Sequence, residues 1–162
     1  MTDDERIPEI SYRTATMGDV AVIRGFERGI VNTERAFDPT LKSGEIHYYD
    51  VESMVSDPRV RFVVAECSGD LIGCGFARID VAKPYLAHAR QAYLGLMYVD
   101  PKFRRRSVNG TIVELLKAWC RSKGVSELRL EVYSGNTTAV GAYEKSGFSK
   151  HMIEMRLGLD DA

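Results

Sequence analysis

No stretch of this chain approaches the ~20 consecutive apolar residues that a membrane-spanning helix needs. The first residues, MTDDERIPEISYR, are acidic and polar and lack the apolar core of a secretory leader. The sequence-based expectation is therefore a cytoplasmic protein with no membrane partner. Cysteine is scarce: Cys67, Cys74 and Cys120 are an odd number without metal-ligand spacing. They are expected to be reduced packing residues, and no metal site is expected. Charge of either sign is not in excess, with 22 Lys and Arg against 23 Asp and Glu and a net charge of -1. That balance excludes a general attraction to nucleic acid, so any anion site must be local. Neither Gly-x-x-x-x-Gly-Lys-Ser/Thr nor Gly-x-Gly-x-x-Gly occurs, which removes the commonest nucleotide-binding loops. Repeats, low-complexity tracts and linkers are missing too. Residues 1–162 are accordingly expected to form one domain, and 44% apolar residues suffice for its core.

What is present is a regular alternation of strand and helix patterns. A short strand is expected at 10–14. Thr16 with Asp19 three residues later marks a helix start, and the helix is expected over 19–29. A second, short helix is expected at 50–56, stopped before Pro58. VRFVVAEC (60–67) and LIGCGFARID (71–80), joined by Ser68-Gly69-Asp70, read as a hairpin. QAYLGLMYV (91–99) is a third long strand. In the next segment Ile112, Leu115, Leu116 and Trp119 share one helical face, predicting a helix over 109–123 that ends at Gly124. Strand patterns follow at 127–132 and 149–159, separated by a helix with Asn136 as candidate N-cap and Gly147 just past its end. Strand 91–99, its helix and strand 127–132 form a βαβ unit, so those two strands are expected to be parallel. The fold class is α/β (α+β), a mixed sheet with helices.

The unusual stretch is VDPKFRRRSVNG (99–110), which places three arginines at the mouth of a helix. Cations are disfavoured there by the helix dipole. The first N–H groups of a helix also lack intrahelical acceptors. Either the run is a solvated loop, or the arginines and open amides share an anion, in which case a phosphate or diphosphate fits the chemistry.

The strand 91–99, this turn with its helix, and NTTAVGAYEKSGF (136–148) together resemble the GCN5-related N-acetyltransferase (GNAT) superfamily. The resemblance covers about residues 60–159, and the N-terminal third fits more loosely. It implies a mixed sheet of about six or seven strands with helices on both faces and a coenzyme cleft between splayed parallel strands. It implies acetyl-coenzyme A as co-substrate and transfer of its acetyl group to a primary amine of a small molecule or protein, by direct attack in a ternary complex. The alternative is a non-catalytic coenzyme A-binding module of the same fold. The superfamily's loop, Arg/Gln-x-x-Gly-x-Gly/Ala, reads here Arg104-Arg105-Arg106-Ser107-Val108-Asn109, with Ser107 and Asn109 in place of glycines and Gly110 next. By resemblance these seven residues hold the diphosphate, and Met97, Tyr98 and Val99 pair with the pantetheine arm. Asn136 contacts that arm, and Tyr143 contacts the sulfur and protonates the leaving thiolate; from the residues alone, Asn136 only caps and Tyr143 only packs. A homodimer is compatible with the resemblance.

The superfamily's carboxylate on the 91–99 strand has no counterpart here. Glu131 is the chosen candidate for the proton acceptor, beside Glu66, Asp80, His88, Tyr93 and a water chain. Segments 34–49 and 82–90 carry Phe37, His47, Tyr48, Tyr49, Tyr85 and His88 and are expected to bind the acceptor; the same aromatics could simply cover the core edge.

Overall fold

A computed structural model describes residues 8–160. Strand β1 (Ile10–Thr14) leads through a short turn to helix α1 (Val20–Glu34) and helix α2 (Val51–Ser56). Strands β2 (Val60–Cys67), β3 (Asp70–Val81) and β4 (Arg90–Val99) follow. Helix α3 (Val108–Ser122), strand β5 (Leu128–Arg129) and helix α4 (Thr137–Lys145) complete the elements. The sheet order is β1-β2-β3-β4-β5, antiparallel except for the parallel β4–β5 pair.

Each face of the sheet buries its own helices. On β2, Val63, Ala65 and Cys67 pack with Ile112, Leu116 and Trp119 of α3, whereas Phe62 and Val64 pack with Ile23, Val51 and Met54 of α1 and α2. This two-residue alternation, apolar on both sides, explains why β2 reads as an unbroken apolar run. Cys67, Cys74 and Cys120 are free and buried within these two clusters. Burial pushes the Cys120 thiol up to about 11, and that of Cys74 higher still, so both pack as thiols.

Two spans differ from the sequence-based expectation. Helix α1 runs through Gly29 to Glu34. Gly29 is a contact point: a Cβ there would lie 2.8 Å from the Tyr98 ring, which stacks on Phe26 at 4.6 Å. Among the described residues the sheet has five strands, where about six or seven were expected. Of 127–132, only Leu128 and Arg129 pair in the sheet. Segment 149–159 has the alternation of a strand but pairs with no strand among the described residues.

The irregular segment after α1 is fixed by one buried acid. Glu27 is 0% exposed. Its Oε1 accepts the backbone N–H groups of Tyr48 at 2.7 Å and Tyr49 at 3.0 Å, and its Oε2 meets His47 Nδ1 at 3.3 Å. A buried carboxylate is tolerated because three donors surround it. Thus α1 sets the position of two tyrosines through their backbone. Glu27→Ala is predicted to destabilise the fold by about 2–4 kcal/mol, because two buried amides lose their acceptor. Urea denaturation measures this; a loss below about 1 kcal/mol contradicts the anchoring role.

Candidate active site

The site begins where β4 and β5 part. Their register is Ala92↔Leu128 and Tyr93↔Arg129, and it goes no further. From Leu94 to Val99, β4 pairs with β3 only, so its other edge is open toward residues 130–133. A bulge accompanies the parting. Cys74 pairs with Tyr98 and Phe76 with Gly95, so Leu96 and Met97 together oppose Gly75. Leu96 sits at φ 48°, a left-handed conformation that costs a non-glycine residue about 1–2 kcal/mol. Bulges bend a strand and redirect its groups; here the bend lies on the half of β4 that has lost its neighbour.

At the end of β4 the chain makes a 3-10 turn, Pro101–Phe103, and enters α3 through 104–107. Arg105 at φ 65° and Ser107 at φ 58° are both left-handed. The Ser107 carbonyl accepts from the N–H and the hydroxyl of Thr111, each at 2.9 Å. No side chain caps the helix. The N–H groups of Val108, Asn109 and Gly110 therefore have no protein acceptor among the described residues. Asn109 lies inside the first helical turn, so helical backbone geometry suffices for it.

The three arginines separate in role. Arg106 donates to the Pro8 carbonyl at 3.0 Å and lies over the Phe103 ring at 5.6 Å. Arg104 and Arg105 are exposed and form no ion pair among the described residues. These two cations and three open amides, joined by a helix dipole, have the donor set an anionic diphosphate requires.

On the far side, Asn136 caps α4, its Oδ1 accepting from the Ala139 N–H at 3.2 Å. Its side-chain NH2 group remains available to donate. Tyr143, about two turns further along α4, is half-buried and meets Phe148 edge-to-face at 5.9 Å. Burial pushes its phenol up to about 12, with smaller contributions from Tyr93 and Glu34.

Glu34, at the end of α1, is the feature that sequence reasoning missed. Its Oε2 accepts from the Tyr48 hydroxyl at 2.7 Å. Burial raises its carboxyl above the usual range, Tyr48 opposes this, and Asp38 adds to it. Burial raises the phenols of Tyr48, Tyr49, Tyr93, Tyr133 and Tyr143, hydrogen bonds add to this at Tyr48, Tyr49 and Tyr133 (at Tyr133 the bond to Asp38 leads) and oppose it at Tyr93, and the Glu34 charge adds a smaller rise to each. Of these phenols Tyr48 bonds to Glu34, and the other four feel its charge. Tyr49 reaches the group because β4 has Gly95 there: a Cβ would lie 2.8 Å from its hydroxyl and 2.6 Å from the Phe76 ring. Glu27 and Glu34 stand seven apart on one face of α1, a spacing visible in the sequence.

The other acids proposed for proton transfer are placed differently. Glu66 pairs with Arg13 at 3.1 Å and Asp80 with Arg78 at 2.9 Å. Glu131 is exposed, close enough to raise the Tyr93 phenol. Of the aromatics, Phe37 stacks with Tyr133 at 6.5 Å, and Tyr133 donates to Asp38 at 2.6 Å. His47 bridges Glu27 and Glu45. Tyr85 is 76% exposed against Lys83, and His88 is bonded to Gln91 at 2.9 Å.

The profile of the acetyltransferase (GNAT) family matches residues 30–148. The chain belongs to this family. It is 31% identical over 103 residues to an IAA acetyltransferase from Azospirillum brasilense, covering 64% of this chain and 63% of that protein. It is 29% identical over 137 residues to N-alpha-acetyltransferase 30 from Dictyostelium discoideum, covering 68% and 71%. The first match thus spans less than two thirds of that GNAT protein's own length. The crystal structure of a predicted acetyltransferase with acetyl-CoA from Clostridium acetobutylicum superposes with a TM-score of 0.70 at 16% identity, covering 93% of this chain and 97% of that one. That likeness shows the fold: a GNAT sheet with helices on both faces. No helix among the described residues is long and apolar enough to cross a membrane.

The GNAT loop motif has glycine where this chain has Ser107, and the left-handed φ explains why. Ser107→Gly is predicted to keep or raise stability, by up to about 1 kcal/mol, and to preserve the loop. Ser107→Val, β-branched at positive φ, is predicted to weaken coenzyme A binding at least about tenfold. Calorimetric titration distinguishes the two; equal affinities for both variants contradict the strained loop.

Proposed function

We propose that this chain transfers the acetyl group of acetyl-coenzyme A to a primary amine of a small molecule or protein, in a ternary complex. The observation that carries the reading is the open edge of β4 ending at three helix amides and two arginines that have no partner among the described residues. In this proposal the amides of Val108, Asn109 and Gly110, with Arg104, Arg105 and the Ser107 turn, bind the diphosphate. Arg106 shapes the loop through Pro8 and Phe103. The backbone of Met97, Tyr98 and Val99 pairs with the pantetheine arm as an added strand would, and the free amide hydrogens of Asn136 bind the same arm.

The coenzyme supplies an activated acetyl thioester; the rest is done by the protein's own groups. The reaction forms a C–N bond, breaks a C–S bond and moves one proton net from nitrogen to sulfur. An amine reacts only when neutral, so a base must first take the ammonium proton. Glu34 and Glu131 are the carboxylates beside the tyrosine group, and Glu34 is favoured because burial has raised its proton affinity. A half-buried carboxylate bonded to a phenol on one oxygen also attracts and orients an ammonium group with the other. A backbone N–H at the β4 bulge stabilises the oxyanion of the attacked carbonyl. Tyr143, protonated throughout the working pH range, donates to the departing sulfur.

Calorimetry with coenzyme A, and thiol release from acetyl-coenzyme A across a panel of small amines and peptide amino termini, test the proposal. Binding together with amine-dependent thiol release is expected; binding with no release from any amine would mean a coenzyme-holding module. Tyr143→Phe is predicted to lower kcat about 10–100-fold with coenzyme affinity within about twofold. Unchanged kcat removes Tyr143 from the chemistry. Replacing Arg104 and Arg105 together by alanine is predicted to weaken coenzyme A at least about tenfold, and an affinity equal to that of the unaltered chain refutes their role.

A further inference from the structure

The tyrosine group has a second charged end, which the acetyl-transfer reading leaves unused. On β3, Ala77 packs toward α3 and Phe76 toward α1 and α2, so the two-residue alternation puts Arg78 on the face of Phe76. Arg78 is in register with Tyr93 of β4, and its guanidinium lies over the Tyr93 ring at 5.5 Å. Asp80 follows on the same face and accepts from Nε with both oxygens, at 2.9 and 3.1 Å. Two residues apart on one strand, this ion pair joins no separate elements. What it does is orient the guanidinium, with a ring against one face and a carboxylate at one edge. The remaining edge is spare: Nη1 and Nη2 have no acceptor among the described residues. Asp57, beside it, is held by Arg59 at 2.7 Å. The Arg78 side chain is 34% exposed, open to a ligand yet shielded enough for a charge-assisted bond to count. Glu34 and Arg78 flank the same two phenols. Burial is the main influence on Tyr49 and Tyr93; beside it the Glu34 charge raises both and the Arg78 charge lowers both. Between the charges the floor is aromatic, with Phe76 at 5.0 Å from Tyr49 and 6.2 Å from Tyr93.

We propose that the acceptor is a free amino acid, its amine at Glu34 and its carboxylate on the Nη edge of Arg78. The proposal rests on the acetyl-transfer reading and narrows it. An acid at one end, a guanidinium at the other and rings between complement a molecule with an ammonium and a carboxylate on a short apolar body. Arg78 determines specificity and does not touch the reacting atoms. Its two N–H groups match a carboxylate in the plane, which a lysine in its place could not do. An amine without a carboxylate leaves that shielded edge unpaired, and sites built around a polar partner discriminate against ligands that lack it. A carboxylate held there also fixes where the amine lies against Glu34. A peptide amino terminus has its own carboxyl group tied up in an amide bond and brings no anion to Arg78. Acetylation turns the ammonium into a neutral amide, so the product keeps its bond to Arg78 and loses its attraction to Glu34, which favours release.

The test compares kcat/KM for glycine, β-alanine, γ-aminobutyrate, ε-aminocaproate and phenylalanine with that for the carboxamide of each, by thiol release from acetyl-coenzyme A. At least one acid is expected to exceed its own amide by about tenfold or more. Arg78→Gln is expected to bring that ratio to within about twofold of unity, and Arg78→Lys to leave it between the two. A ratio taken on one preparation does not depend on how much of it is folded. Equal use of acids and amides by the unaltered chain overturns the proposal, and so does an acid preference that survives Arg78→Gln. Side-chain nitrogen spectra of the Arg78 guanidinium, identified by its loss in Arg78→Lys, give a readout that needs no turnover. With coenzyme A present, a saturable shift on adding the preferred acid and none with its amide is expected. That shift without thiol release from any amine counts against the acetyl-transfer reading and leaves the Arg78 site standing. No shift with any of these acids overturns the proposal.

Discussion

The structure depends on two parallel strands that start paired and then separate. β4 and β5 share two register positions, then diverge where β4 bulges at Leu96 and Met97. A sheet that stayed paired would close the groove in which an extended ligand can lie. The bulge keeps β4 attached to β3 while its other edge is free, and the left-handed backbone at Leu96 is strain stored at that parting. The same strand then delivers the chain to α3, so the open edge and the helix N-terminus are consecutive in sequence and adjacent in space. An open strand edge and a helix N-terminus with unpartnered amides are thereby joined at one end of one βαβ unit.

The other wall is positioned by buried acids. Glu27 is consumed by structure: it takes two backbone amides and a histidine, and with them fixes Tyr48 and Tyr49. Glu34, two turns later on the same helix face, is only partly consumed, since Tyr48 occupies one of its oxygens. The pair shows how one residue type serves two ends according to burial and donor supply. A carboxylate surrounded by backbone donors is a fastener, whereas one bonded to a single phenol, with capacity left over, is a candidate for proton traffic.

Much of this was legible in the sequence. β2 was readable to the residue, because an apolar β-branched run bounded by Pro58 and Ser68-Gly69 has few alternatives. α3 and α4 were legible within a residue or two from periodicity, Asn136 and the glycines at 124 and 147. Gly29 misled, because a glycine that admits a neighbouring ring looks like a helix stop until the ring is known. The strand expected at 127–132 shrank to two residues because pairing belongs to two strands, and the sequence of one cannot announce that its partner bulges. Segment 149–159 does alternate as a strand should, but period alone does not provide a neighbour. Glu34 escaped notice because its burial and its bond to Tyr48 come from the folding of the irregular segment after α1, which the sequence does not announce. The arginine run was visible, but not that Arg106 turns back onto Pro8 and Phe103.

The central claim is that the free edge of β4 and the first turn of α3 together grip a coenzyme. Residue-resolved amide spectra recorded during a coenzyme A titration test this most directly, because the groups claimed to do the binding are themselves observed. The account predicts saturable shifts and slowed hydrogen exchange at Met97–Val99 and Val108–Gly110, with β1 and β2 unmoved. Saturating coenzyme A that leaves the amides of Val108, Asn109 and Gly110 unshifted would contradict it.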